Sequence, residues 1–168
     1  MSADEQPGAP GEATTYNLLF VCTGNTCRSP MAAAVARGAL ARRGWTHVAV
    51  QSAGLGALPG TPAAANAIRA ASEAGLDLSG HRARALTREL VEWADLVLGM
   101  GPSHLSGIVE LGGGEKAALV TDFIDGPGFG QPITDPFGGD AGTYRRTLRQ
   151  ITQAVEGVLD RLEPILAP

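Results

Sequence analysis

The chain is short of four things, and each shortage removes a class of function. Aromatic residues make up only 5% of it, so few rings are on hand to stack on bases or sugars. Lys116 is its one lysine, and 17 acidic residues against 13 basic ones leave a formal net charge of −4. Nucleic-acid readers normally present a basic face, so nucleic acid is not an expected partner, and any bound anion has to be held by local groups. Two cysteines, Cys22 and Cys27, are too few for the disulfide framework of a small secreted domain, and read as reactive or incidental thiols in a reducing, cytoplasmic setting. No apolar run approaches the ~20 residues of a membrane span. The first 15 residues lack the basic and apolar regions of a signal peptide, and their Gly, Pro, Ala and acid content predicts a disordered leader.

What remains, residues 16–168, is the size of one domain, and 44% apolar residues across the chain suffice for a buried core. Tyr16–Cys22 (YNLLFVC) is a nearly unbroken apolar run, as expected of a central strand covered on both faces. Ser29 and Pro30 then open an Ala-rich helix to Arg43, with Ser29 as its cap and Gly44 as its stop. Further strands are predicted at 47–52, 96–100 and 117–121. Helices are predicted from Thr61-Pro62 to Gly75, over 86–93, over 102–111 and over 142–162. The last carries Tyr144, Leu148, Ile151, Val155, Val158 and Leu162 on one stripe. The irregular stretch 122–140, rich in Gly, Pro and Asp, is long for a plain connection and suggests a functional loop. Alternating strands and helices argue an open three-layer α/β/α domain on a parallel sheet, with ligands beyond the carboxyl ends of its strands.

Those carboxyl ends are where Cys22, Thr23, Gly24, Asn25, Thr26, Cys27, Arg28 and Ser29 fall, between a buried strand and a helix N-terminus. Successive backbone N–H groups in such a loop form an anion nest, and the helix dipole adds positive potential. Gly24 permits a tight turn, and Arg28 can fork two oxygens of a tetrahedral oxyanion. This setting is expected to hold Cys22 as an exposed nucleophilic thiolate, with Ser29 donating a hydrogen bond to it. Cys27 lies close enough along the loop to condense with an oxidised Cys22 and protect it from over-oxidation.

VCTGNTCRSPMA resembles the signature loop of the low-molecular-weight protein tyrosine phosphatase family, and Asp135-Pro136-Phe137-Gly138 resembles that family's second motif. The likeness continues through SAGLGALPG and GLDLSGHRARALTRELVEWADLVLGM into the last helix, roughly over 17–162. It implies a four-stranded parallel sheet with the phosphate-binding loop after the first strand, no metal or other cofactor, and phosphorylated proteins as substrates. A phosphocysteine intermediate would form on Cys22, Arg28 matches the phosphate-binding arginine, and Asp135 matches the general acid. Phe137 stands where the family often has pocket-wall tyrosines, so the wall keeps a ring and lacks a phenol. Many tyrosine-specific members carry a bulkier aliphatic residue at Thr26. Thr26 and the neighbouring DPFGG resemble bacterial protein arginine phosphatases, which leaves phosphoarginine and phosphotyrosine both open as substrates.

Two other readings compete. A thiol-dependent arsenate reductase would use the same loop, but it needs further cysteines for its relay, and none follows Cys27. A noncatalytic phosphate-binding module could dispense with Cys22 or Asp135, and both are present. His81 is expected to order the loop after the second helix and His104 to be solvated or to cap, while Asp122 and Asp125 are expected to face water.

Overall fold

Four consecutive residues of the first strand, Leu18, Leu19, Phe20 and Val21, are fully buried. A strand's side chains alternate between faces, so this strand needs a layer on each side of it. The computed structural model describes residues 15–168 and provides both layers; the predicted leader, apart from Thr15, lies outside the described residues. Strands β1 (Tyr16–Cys22), β2 (Val48–Gly54), β3 (Leu96–Gly99) and β4 (Ala117–Leu119) form one parallel sheet in the order β2-β1-β3-β4. Leu18 and Phe20 pack with helices α1 (Arg28–Arg43), α2 (Ala65–Glu73) and α5 (Ala141–Leu166). Leu19 and Val21 pack with α3 (Arg88–Trp93) and with Ile108 of α4 (Pro102–Glu110). The chain leaves β1 for β2 on one side and returns to β3 on the other. The order therefore reverses beside the carboxyl end of β1, where open sheets of this kind leave a crevice.

Several boundaries differ from expectation, and each difference bears on that crevice. Ser29 does not cap α1. The helix starts at Arg28 with Cys27 in the capping position and no side-chain cap, which frees the Ser29 hydroxyl for the loop. Gly44 ends α1 in the left-handed conformation, φ 72°, as expected. Helix α2 begins three residues past Thr61-Pro62. Pro62 pairs instead with Arg82 in an extended bridge, and the Ala64 N–H is given to the Thr26 carbonyl at 2.9 Å. Beyond β4, Val120–Phe123 coils into a 3₁₀ turn, with the Asp122 carboxylate accepting the Leu119 N–H at 3.0 Å. Helix α5, capped by Asp140 on the Thr143 N–H, runs past Pro164 to Leu166, whose side chain is drawn into the core. The full apolar stripe predicted for α5 is buried.

Candidate active site

The loop between β1 and α1 is suspended from its surroundings by its own carbonyls. Leu55 N–H bonds to the Cys22 carbonyl at 3.0 Å, Gly56 N–H to Thr23 at 2.9 Å, Ala64 N–H to Thr26 at 2.9 Å and Met31 N–H to Cys27 at 3.2 Å. The His81 Nε2–H donates to the Asn25 carbonyl at 2.7 Å. Buried backbone acceptors need partners, and here the partners lie outside the loop. Asn25 adopts φ 56°, the one non-glycine residue with positive φ among the described residues. Its fully buried amide holds that conformation: Nδ2 donates to Ser29 Oγ at 2.8 Å and to Ser52 Oγ at 3.0 Å, and Oδ1 accepts the Arg84 N–H at 2.9 Å.

A cavity of about 270 Å³ opens over this loop, lined by Cys22, Thr23, Gly24, Thr26, Cys27, Arg28, Asp135 and Phe137. The structure thus brings together, across more than a hundred residues, the loop and the Asp135 motif. Cys22 lies on the cavity floor and is only 2% exposed, so the expectation of an exposed thiol is corrected to a sulfur reached from one side. Ser29 Oγ stands 2.9 Å from its sulfur and already accepts from Asn25, which leaves the serine hydrogen for the sulfur. Arg28, also buried, donates to the Ile133 carbonyl at 3.3 Å and lies 3.6 Å from the Asp135 carboxylate, which is half-exposed at the mouth. The Phe137 N–H donates to Asp135 Oδ1 at 3.1 Å, and its ring stands exposed at the rim. Asn25 and Ser29, predicted as phosphate-binding residues, brace the loop from beneath and do not line the cavity. Thr26 does line it, with its hydroxyl 3.7 Å from the Cys27 sulfur.

Three partners of the loop were not anticipated. Tyr144, expected only as part of the α5 stripe, brings its hydroxyl to 3.3 Å from the Cys27 sulfur. Burial pushes the Cys27 thiol and the Tyr144 phenol up from their ordinary values, so both stay protonated. His81 braces Asn25 and does not merely order the segment after α2. His104 is neither solvated nor a cap alone: it is 3% exposed, accepts the Gly101 N–H on Nδ1 at 3.0 Å, and places Nε2 3.0 Å from Thr23 Oγ1. Burial, with Arg28 nearby, holds its imidazole below the ordinary value of 6.5. Among the described residues no three His, Cys, Asp or Glu side chains gather where they could hold a metal ion, and no helix is long and apolar enough to cross a membrane.

Comparison with known proteins meets this geometry from outside. The model of the low molecular weight phosphotyrosine protein phosphatase family matches residues 17–165. A protein-arginine-phosphatase of Geobacillus stearothermophilus is 36% identical over 150 residues, 88% of this chain and 97% of that protein. The structure of the tyrosine phosphatase Wzb from Escherichia coli K30, in complex with sulphate, superposes with TM-score 0.77 and 31% identity, over 89% of this chain and 99% of that one. A YwlE arginine phosphatase structure, a cysteine-to-serine mutant with a phosphorylated active-site serine, superposes with TM-score 0.80 and 34% identity, over 89% and 97%.

Proposed function

Since the chain belongs to the low molecular weight phosphotyrosine protein phosphatase family, we propose that it is a metal-independent cysteine phosphatase that hydrolyses phosphoarginine or phosphotyrosine in proteins through a phosphocysteine intermediate. One observation carries the reading: Cys22, Arg28 and Asp135 line one cavity, with the Ser29 hydroxyl on the Cys22 sulfur. The phosphorylated serine of the YwlE mutant supports covalent transfer to the residue that would replace Cys22.

In this mechanism the Cys22 sulfur attacks phosphorus in line, and the bond from phosphorus to the leaving nitrogen or oxygen breaks as Asp135 protonates that atom. Asp135, now a carboxylate, takes a proton from water. The water attacks phosphorus, the S–P bond breaks, phosphate leaves and the thiolate returns. One difficult hydrolysis becomes two easier transfers. Arg28 and the loop amides hold the charge on the equatorial oxygens in both steps, and Ser29 supplies a hydrogen bond to the sulfur each time it leaves as an anion. Thr23, Gly24, Thr26 and Cys27 contribute backbone donors to the same nest. Phe137 walls the mouth with a ring that meets the flat face of the leaving group.

Thr26 bears on the choice of substrate. Its carbonyl is already occupied by Ala64, and its hydroxyl, on the cavity wall, is available to the guanidinium of phosphoarginine. Sites that hydrogen-bond a polar group discriminate far more than those that differ by a methylene, for which the difference is only ~1–3 kcal/mol. Thr26→Ile is expected to lower the kcat/KM ratio of phosphoarginine over phosphotyrosine peptides by at least about tenfold, ~1.4 kcal/mol of differential transition-state binding. An unchanged ratio with both activities reduced would assign Thr26 to loop shape alone. The two free cysteines favour a reducing compartment, and with it a cytoplasmic protein whose partners are phosphorylated proteins.

The primary test is Cys22→Ser, assayed on a chromogenic aryl phosphate with chelator present. Turnover is expected to vanish while inorganic phosphate still binds. A variant that keeps more than a small percentage of wild-type turnover would remove Cys22 from the reaction.

A further inference from the structure

The loop amides, Arg28, Cys22 and Asp135 account for the backbone and charged groups of the cavity, but not for the Thr23 side chain or for a histidine buried behind it. Thr23 lines the cavity one residue after the nucleophile. Its carbonyl is tied to the Gly56 N–H and its methyl lies toward Gly56, which leaves Oγ1 facing His104 at 3.0 Å. The hydrogens on this pair follow from valence. His104 Nδ1 accepts the Gly101 N–H, and the ring is kept neutral by burial and by Arg28, so its one proton sits on Nε2 and is donated to Thr23 Oγ1. Thr23 Oγ1 therefore serves His104 as acceptor and keeps its own hydrogen to give. No group among the described residues takes that hydrogen.

A capping role explains only half of His104. The Nδ1 bond closes the start of α4, a task that Asn or Ser could perform; the Nε2 bond reaches 81 residues back along the chain to the anion loop. Room for the ring is made at the end of β3, where a side chain on Gly99 would sit 3.1 Å from the His104 Cβ. We propose that the Thr23 hydroxyl is a further catalytic group of this cavity, donating to a phosphoryl oxygen, and that His104 is the positioning residue that turns it there. The donor comes already oriented, which is what makes such a group effective as charge spreads over the equatorial oxygens.

This inference rests on the phosphatase reading, and the test separates the two. Turnover of the aryl phosphate is compared in wild type, Thr23→Ser, Thr23→Val, His104→Gln, His104→Asn and the double variant Thr23→Val/His104→Asn. Thr23→Ser keeps the hydroxyl and is expected within about twofold of wild type in kcat/KM, while Thr23→Val is expected to lose about tenfold, a loss on the scale of one hydrogen bond to a charged group. His104→Gln can still offer an N–H near the Nε2 position and should preserve activity. His104→Asn keeps an acceptor for Gly101 but cannot reach Thr23, and should lose as much as Thr23→Val. In the double variant the second change should cost nothing further, since the two residues act as one unit. Thr23→Val with wild-type kcat/KM overturns the proposal. So does a His104→Asn loss of equal size with and without the threonine hydroxyl, because that is the signature of a structural histidine. Should His104→Asn not fold, the contrast of Thr23→Ser with Thr23→Val decides alone. Retained turnover in Cys22→Ser would instead sink the phosphatase reading, and this proposal with it.

Discussion

Gly54, the last residue of β2, lies outside both motifs, yet the geometry makes it a residue on which activity depends. A methyl group placed there would sit 2.4 Å from the Thr23 carbonyl oxygen, 3.0 Å from the Asn25 nitrogen and 3.1 Å from the Asn25 Cβ. Ordinary contact begins at 3.4 Å, so Gly54→Ala requires about 1 Å of movement. The β2 end cannot supply it easily: Ser52 and Ala53 are paired with Phe20 and Val21 in the buried centre of the sheet. The loop is the part that yields, and its anion-binding amides move with it. A misplacement of ~1 Å at a reacting centre costs about 10²-fold in rate, or ~2.7 kcal/mol of transition-state stabilisation. Overpacking of this kind costs a further ~1–3 kcal/mol of folding stability. Steady-state kcat/KM on an aryl phosphate, the inhibition constant of inorganic phosphate and a thermal melt would be measured together, with Gly80→Ala, where a methyl meets nothing within 4 Å, as the control. We expect Gly54→Ala to stay folded, bind phosphate poorly and lose about two decades of kcat/KM, and Gly80→Ala to match wild type. A folded Gly54→Ala enzyme with wild-type kcat/KM would refute the claim that the position of the Thr23–Asn25 backbone controls catalysis.

Asp135→Asn is expected to slow substrates with poor leaving groups by ~10²- to 10⁴-fold and those with good leaving groups far less; an equal loss across a leaving-group series would remove Asp135 from the role of general acid. Burial holds both His81 and His104 below the ordinary histidine value of 6.5. Above that pH both states carry neutral rings, and below it the unfolded chain takes up protons first, so stability should fall as pH drops from about 7 toward 5. Melts across that window, with NMR titration of the two imidazoles, check this, and a folded-state value above 6.5 for both rings would contradict it. Mild peroxide is expected to oxidise Cys22 to a sulfenic acid, which the Cys27 thiol attacks to form a disulfide with loss of water, reversibly by a dithiol. Peptide mapping that finds only sulfinic acid on Cys22 would exclude this protection.

The parts of the molecule legible in the sequence are those whose cause is local. An apolar run of seven residues announces β1, a glycine announces the end of α1, and the order of residues from Cys22 to Ser29 announces an anion loop, because each feature is written in consecutive positions. Ser29 misled because a serine before a proline has the form of a cap, while here its hydroxyl is needed by a sulfur seven residues earlier. The same limit hides the braces. His104 lies 81 residues from Thr23, Tyr144 lies 117 from Cys27, and His81 lies 56 from Asn25. On its own helix each of these residues looks like any half-buried polar or aromatic side chain. Gly54 is equally silent, since its lack of a side chain matters only through a carbonyl on a neighbouring strand's loop.

The outward-tied carbonyls of the loop have a consequence for encounter in salt solution. The chain as a whole is anionic, with a formal charge of −4, and so are its substrates. At long range the two repel. The attraction comes from amide dipoles, one buried guanidinium and a helix end, all of which act over a few ångströms, well inside a screening length of ~8 Å at physiological ionic strength. Added salt therefore weakens the repulsion more than the capture. Steered association normally slows as ionic strength rises. Here the association rate should hold or rise over the same range, until added anions begin to compete for the cavity itself.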